Sequence, residues 1–256
     1  MELKEKIAIV TGAGQGIGKA IALELARAGA NLVLADIRED TIEKMKEEID
    51  GMGREVLSIR TDVSKWEDAE RMAKRTIERF GRIDILVNNA GISLRGKGGT
   101  RLRISDVGDQ EWDTIMNVNL KGVFNCSKAV IPSMINQSFG KIVNMGSIVG
   151  LSGGANSPAS APYCVSKAGV ICLTKVLARE LAQHNINVNA VAPGRIVTPL
   201  TGNVSPELNE EGLKHTPLGR FGNPIDIARG VLFLVSESGD FITGETLVID
   251  GGRTMH

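Results

Sequence analysis

Lys6-Ile-Ala-Ile-Val10 runs directly into Thr11-Gly-Ala-Gly-Gln-Gly-Ile-Gly18, and an amphipathic segment, Ile17–Ala28, follows. A short apolar run, a glycine-rich turn and a helix in that order make the opening unit of an α/β protein. Glycines at 12, 16 and 18 let the backbone turn tightly and approach a pyrophosphate closely. The helix that opens there offers unpaired N–H groups and the positive end of its dipole. A plain tight turn would use glycine too. The position between the first strand and the first helix favours a nucleotide loop, in which Gly12, Gln15, Gly16, Ile17 and Gly18 are the candidate contacts.

The same alternation continues to the end of the chain. Strands are expected at Lys6–Val10, Asn31–Ala35, Glu55–Arg60, Ile85–Asn88, Lys141–Met145, Asn187–Ala192 and Thr246–Ile249. Their Ile, Val and Leu content suits strands buried on both faces. Helical periodicity marks Ile17–Ala28, Thr41–Met52, Ser64–Phe80, Gln110–Asn136, Ala161–Gln183 and Pro224–Ser236, and Ser64-Lys-Trp-Glu67 reads as a capping box. The pattern implies an α/β fold: a doubly wound parallel sheet of about seven strands, helices on both faces, right-handed crossovers and one domain over residues 1–256. Two stretches break the rhythm. Ser93–Gly108 carries Arg95, Lys97, Arg101 and Arg103, and Pro199–Pro217 separates a strand from the next helix. Long loops in a compact domain often border a binding site.

Composition narrows the function. With 30 basic and 30 acidic residues the formal net charge is zero, which gives no pull toward nucleic acid or an anionic membrane. No apolar run approaches a membrane span, and the opening Ile-Ala-Ile-Val is too short for a signal-peptide core, so a cytoplasmic protein is expected. Cys126, Cys164 and Cys172 form no C-x-x-C pair or zinc spacing, and His184, His215 and His256 suggest neither a metal site nor a triad. Buried, inert thiols are the expectation, with Cys164 close enough to the site to be sensitive to alkylation.

Asp36 ends the second strand, 18 residues past Gly18. A carboxylate there accepts ribose hydroxyls and repels a 2′-phosphate, which argues for NAD(H) over NADP(H). Gln15 adds no positive charge to the loop, whereas Arg38 could accommodate a phosphate. Asp62 and Val63 follow the third strand, on the adenine side. Asn88-Asn89-Ala90-Gly91 follows the fourth, at the strand end where such sheets bind ligands. Downstream, Tyr163-Cys-Val-Ser-Lys167 sets a phenol and an ammonium one helical turn apart. An adjacent cation favours the phenolate, so such a Tyr can exchange a proton with a carbonyl oxygen near neutral pH.

Taken together, these stretches resemble the short-chain dehydrogenase/reductase family in its compact form: T-G-x-x-x-G-x-G at Thr11–Gly18, N-N-A-G at Asn88–Gly91, Y-x-x-x-K at Tyr163–Lys167, Pro193-Gly194 with Thr198, and Gly244 with Asp250-Gly-Gly252. The match covers nearly the whole chain. The resemblance implies a Rossmann-type fold and a catalytic set. Asn119 would steady the lysine through water, ahead of its neighbour Asn117. Ser147 would hold the substrate oxygen, Tyr163 would be the acid/base, and Lys167 would tune it and bind the nicotinamide ribose. The backbone around Ile196, Val197 and Thr198 would hold the carboxamide. No metal is implied.

The expected activity is NAD(H)-linked interconversion of a secondary alcohol and a ketone on a small molecule: a sugar, polyol, hydroxy acid or small alcohol. Reduction of a 3-oxoacyl thioester is the alternative. The longer Ser147-to-Tyr163 gap and the extended Ser93–Gly108 segment count against that alternative. A silent NAD(H)-binding sensor is disfavoured because Asn119, Ser147, Tyr163 and Lys167 are all present, and an epimerase-type relative because there is no room for a second domain. The resemblance also implies a homotetramer, to which the apolar residues Val170, Ile171, Leu173, Val176, Leu177 and Leu181 could contribute.

Overall fold

Seven strands alternate with helices along the chain: β1 (Ile7–Thr11), α1 (Gly16–Arg27), β2 (Asn31–Asp36), α2 (Glu39–Asp50), β3 (Val56–Arg60), α3 (Trp66–Phe80), β4 (Ile85–Asn88), α4 (Asp109–Met116), α5 (Gly122–Asn136), β5 (Gly140–Met145), α6 (Ile148–Ser152), α7 (Ala161–Leu181), β6 (Ile186–Pro193), α8 (Pro206–Lys214), α9 (Pro224–Val235) and β7 (Thr246–Ile249). The structure, a computed structural model, describes residues 2–94, 102–154, 159–201 and 206–255. Arg95, Lys97 and Arg101 of the basic segment, part of the Ser147-to-Tyr163 gap and His256 lie outside the described residues.

All seven strands are parallel, in the order β3-β2-β1-β4-β5-β6-β7. The chain therefore winds outward from β1 in one direction and from β4 in the other, and the gap between those two strands is the switch point where such sheets bind ligands. Alternation along β1 feeds two cores. Ala8 and Val10 pack with Ile21 and Leu25 of α1 and Val231 of α9, while Ile7 and Ile9 pack with Met72 of α3, Val130 of α5 and Leu181 of α7. Two edge strands depart from the expectation of full burial. Most of β3 and all of β7 is only half-buried, because each has a neighbour on one side alone.

Three local expectations are corrected. Ser64 does not cap α3: the helix begins at Trp66, and Ser64 Oγ instead donates to Asp62 Oδ1 at 2.6 Å. The Asp68 carboxylate reaches back to accept the Asp62 N–H at 2.9 Å, so the acidic residue sits one turn into the helix and holds the loop rather than the cap. A capping box forms at α9 instead, between Asn223 and Asp226. The single helix expected over Gln110–Asn136 is α4 and α5 joined by a π-helical turn, Asn117–Lys121, which inserts extra backbone without ending the helix. Of the apolar residues on α7, Val170, Ile171, Leu177 and Leu181 are buried in the subunit's own core, whereas Val176 is 44% exposed.

The stretch Ala161–His184 does have the length and mean hydropathy (1.2) of a membrane-crossing helix, contrary to expectation. Half of it is buried within the fold, where its apolar residues pack beneath β5 and β6.

Candidate active site

A cleft of about 350 Å³ runs along the carboxyl edge of the sheet above the switch point. One wall is the loop from β1 to α1. Gly12 has φ +64° and lies so close to the end of β4 that a Cβ would stand 2.9 Å from Ala90 Cα. A Cβ on Gly18 would fall 2.0 Å from the Gly12 carbonyl oxygen. These contacts require glycine and press α1 against the turn. Thr11 and Asn89 clasp the two strand ends together. Thr11 Oγ1 accepts the N–H groups of Asn89 and Ala90, each at 3.0 Å, and Asn89 Nδ2 donates to the carbonyls of Thr11 and Gly12. Gln15, the residue before α1, supplies no side-chain cap, so amides of the first helical turn face the cleft without a side-chain acceptor.

Asp36 ends β2 at the far wall and is buried. Its carboxylate accepts the Gly14 and Arg38 N–H groups, both at 3.0 Å, and the Arg38 guanidinium lies 3.7 Å away. Two bonds leave acceptor capacity on the carboxylate. Asp62 and Val63 are held in place from α5: Asn125 Nδ2 donates to the Val63 carbonyl at 3.0 Å, and Gly122 leaves room for the Val63 side chain.

Across the switch point, β5 delivers Ser147. It is the N-cap of α6, and its Oγ accepts the Val149 N–H at 3.3 Å, which leaves the hydroxyl proton for a ligand. Tyr163 and Lys167 come from α7, with Lys167 Nζ 5.8 Å from the Tyr163 ring centroid. Lys167 is buried, and its Nζ donates to the Met145 carbonyl at 2.7 Å. Burial in a low-dielectric setting disfavours the ammonium and brings its pKa down to about 8.

The residues expected from the sequence to touch a cofactor line this cleft, Val197 excepted: Gly12, Gln15, Gly16, Ile17 and Gly18; Asp36; Asp62 and Val63; Asn89, Ala90 and Gly91; Tyr163 and Lys167; Pro193, Gly194, Ile196 and Thr198. Ser147 joins them, and Val197 points outward. Asn119 does not line it. Fully buried in the π turn, its Oδ1 accepts the Ile92 N–H at 2.8 Å, and its Nδ2 donates to the Ile92 carbonyl and to Ser166 Oγ. The space that a Cβ on Gly91 would fill lies 3.3 Å from Asn119 Oδ1 and 3.6 Å from Lys167 Nζ, whereas Asn117 lies exposed. Ile37, Ile92, Val118 and Thr201 also line the cleft but carry no chemical motif. Ile37 has one retrospective signal, being a large apolar residue directly after Asp36 that stays 54% exposed. Cys126 is inert, its thiol pushed up to about 12 by burial, and Cys164 is buried rather than open to alkylation.

Donors at one wall, a carboxylate at the other and a hydroxyl-lysine cluster across a doubly wound sheet define a dinucleotide-dependent enzyme. β2 and β5 are three strand spacings apart, ~14 Å, which suits an extended dinucleotide rather than a compact ligand. A family model described as enoyl-(acyl carrier protein) reductase matches residues 12–254. A 3-oxoacyl-acyl-carrier-protein reductase of Staphylococcus epidermidis is 45% identical over 251 residues, 98% of this chain and 99% of that one. A short-chain type dehydrogenase/reductase from Mycobacterium marinum superposes with a TM-score of 0.89 at 36% identity, covering 100% and 98% of the two chains. So does a 3-oxoacyl-acyl-carrier-protein reductase with bound NAD from Brucella melitensis, with a TM-score of 0.89 at 36% identity, covering 99% and 92%. The chain belongs to the short-chain dehydrogenase/reductase family, an oxidoreductase family whose cofactor class is a pyridine nucleotide.

The buried Lys167 has a thermodynamic consequence. Below pH 8 the folded protein carries its charge at a cost of ~3 kcal/mol. Between pH 8 and 10.5 the unfolded chain holds that proton more tightly, so the penalty fades as pH rises. Replacing Lys167 with Met forfeits the hydrogen bond to Met145, worth about 1 kcal/mol. The net gain, ~2 kcal/mol, should raise the melting temperature of the ligand-free protein by about 5 °C at pH 7. By pH 10 the variant and the wild type should converge in thermal denaturation.

Proposed function

We propose that the protein is a cytoplasmic NAD(H)-linked reductase of 3-oxoacyl thioesters. The observation that carries the reaction class is the gathering of Ser147, Tyr163 and Lys167 at one end of a cleft that holds Asp36 at the other. The substrate class rests on the Staphylococcus epidermidis and Brucella melitensis relatives, both 3-oxoacyl-acyl-carrier-protein reductases. Those relatives reverse the order reached from sequence, where a sugar or small-alcohol dehydrogenase stood first. Three free cysteines are consistent with a reducing compartment.

The uncapped first turn of α1 would hold the pyrophosphate and Asp36 the adenosine ribose. Asp36 lines the cleft with acceptor capacity beyond its two backbone bonds, while Arg38 is already ion-paired with it, which favours an unphosphorylated ribose. That the Brucella melitensis structure has NAD bound agrees with this choice. When bound, the dihydronicotinamide supplies a hydride to the substrate carbonyl carbon. Ser147 donates a hydrogen bond to the carbonyl oxygen, where negative charge grows in the transition state. Tyr163 gives that oxygen its phenolic proton, and the Lys167 ammonium stabilises the tyrosinate left behind. Asn119 orients the backbone after β4, at Ile92, through its two amide bonds.

Acetoacetyl-CoA with NADH or NADPH tests this reading. NADH should support turnover, with a dissociation constant at least tenfold below that of NADPH. Tyr163→Phe should lose 10²-fold or more in kcat while keeping its affinity for NADH. Faster turnover with NADPH would overturn the cofactor assignment. Inactivity on the thioester with activity on a polyol would restore the alcohol-dehydrogenase reading, and unchanged turnover in Tyr163→Phe would remove the role of the phenol.

The protein also assembles, in our reading, as a homotetramer. The support is an apolar groove on the outer face of α4, α5 and α7, lined by Met116, Leu120, Phe124, Cys172, Leu173 and Val176, with Phe124 48% exposed. A second copy of the chain covering this groove would remove it from water. Sedimentation equilibrium should give four times the 27.3 kDa chain mass. Phe124→Asp should shift the mass downward without unfolding the subunit.

A further inference from the structure

Gly150 lies inside α6, away from any turn, and has no special backbone angle. A Cβ there would stand 2.7 Å from the Lys167 carbonyl carbon, 2.8 Å from the Ala168 nitrogen and 3.0 Å from the Lys167 carbonyl oxygen. All three atoms are backbone of α7, so no side chain can swing away to make room. The missing side chain therefore lets α6 rest directly on the turn of α7 that carries Lys167.

The segment between is tied to the same lysine at its other end. Met145, two residues before Ser147, accepts the Lys167 Nζ bond at 2.7 Å. Gly146 donates to the Val191 carbonyl at 2.8 Å, and a Cβ on it would come within 3.2–3.3 Å of that oxygen and of Ile171. Gly150 itself donates back to the Ser147 carbonyl at 3.0 Å. Ser147 thus sits in a short turn held from below through the Lys167 ammonium and from above through the Lys167 backbone.

We propose that Gly150 is a positioning residue, setting the distance of Ser147 from Tyr163 and Lys167 by allowing α6 to touch α7. The inference rests on the catalytic reading of those three residues. An added methyl pushes α6 outward and carries Ser147 with it, while the nucleotide wall of the cleft, built from β1, α1 and β2, stays in place. The loss should fall on kcat, because a displaced hydroxyl no longer meets charge that develops at the substrate oxygen.

The test compares Gly150→Ala with Gly153→Ala. Gly153 ends α6 with φ +65°, so alanine there strains the backbone, but its Cβ would meet no atom within 4 Å. It destabilises α6 without forcing the helices apart. Gly150→Ala should lower kcat with acetoacetyl-CoA at least tenfold, hold the NADH dissociation constant within twofold, and raise hydrogen exchange in 145–152 but not in 11–18. Gly153→Ala should keep kcat within twofold at a similar fall in melting temperature. Equal kcat in the two variants, or a Gly150→Ala defect confined to NADH binding, overturns the proposal. Should Gly150→Ala not fold, Gly146→Ala displaces the same turn more gently and must show the same kcat-selective loss. If the wild type does not reduce the thioester at all, the substrate reading fails on its own. The hydrogen-exchange comparison then still decides whether Gly150 sets the position of the Ser147 turn.

Discussion

The cleft is organised around one buried cation. Lys167 enters the interior between β5 and α7, and its ammonium is bonded to the carbonyl that ends β5. Removing an ammonium from water is costly, and that desolvation is what brings its pKa down to about 8. A packed hydrocarbon at this place would give a more stable protein. Retaining a charge here fits the proposed role, because a positive charge beside a phenol, one helical turn away, favours proton transfer to a carbonyl oxygen.

Around that charge the fold uses close backbone approach where a looser protein would use side chains. Gly12 against Ala90, Gly18 against the Gly12 carbonyl, and Gly150 against Lys167 each bring two elements within a distance that a methyl group forbids. The Thr11–Asn89 clasp does the same with hydrogen bonds, fastening the glycine loop of one half of the sheet to the strand end of the other. Close backbone contact of this kind leaves no slack that a side chain could take up. In the proposed reaction, such close packing would keep the Ser147 hydroxyl and the Tyr163 phenol aimed at the oxygen where charge grows in the transition state.

Much of this was legible because it is local and periodic. Strand and helix alternation comes from runs such as Ile7–Val10 and Leu32–Leu34, and the glycine pattern and Tyr163–Lys167 spacing name the walls of the cleft. What stayed hidden depends on contacts between distant segments. The π turn at Asn117–Lys121 carries no signal of its own in the sequence, where Gln110–Asn136 reads as one amphipathic segment; the inserted residue shows only in the backbone hydrogen bonds. Ser64 looked like a cap because Glu67 stands at the right spacing, but Asp68 wins the competition by reaching back to Asp62. The apolar residues of α7 read as one surface, yet Val170 and Leu177 turn inward and Val176 turns out, a division that only the neighbouring strands decide. Gly150 is the plainest case: a glycine in a short helix carries no signal until Lys167 is seen beneath it.

Asn119 shows how the hidden part serves the legible part. Its amide spends both ends on the Ile92 backbone and reaches Ser166, whose hydroxyl donates to the Tyr163 carbonyl at 2.8 Å. A chain of hydrogen bonds thus runs from the strand end after β4, through the π turn, to the backbone of Tyr163 itself. In a regular α-helix each residue turns about 100° from the last, and one residue more or less before Asn119 would point its amide away from Ile92. The π turn supplies that extra residue, and the Asn119 carboxamide lies between the Ile92 backbone and Ser166 of α7. The irregularity is therefore part of how the fold reaches its site, because the helix must satisfy core packing along α5 and the direction of Asn119 at once, and a uniform helix meets only one of the two.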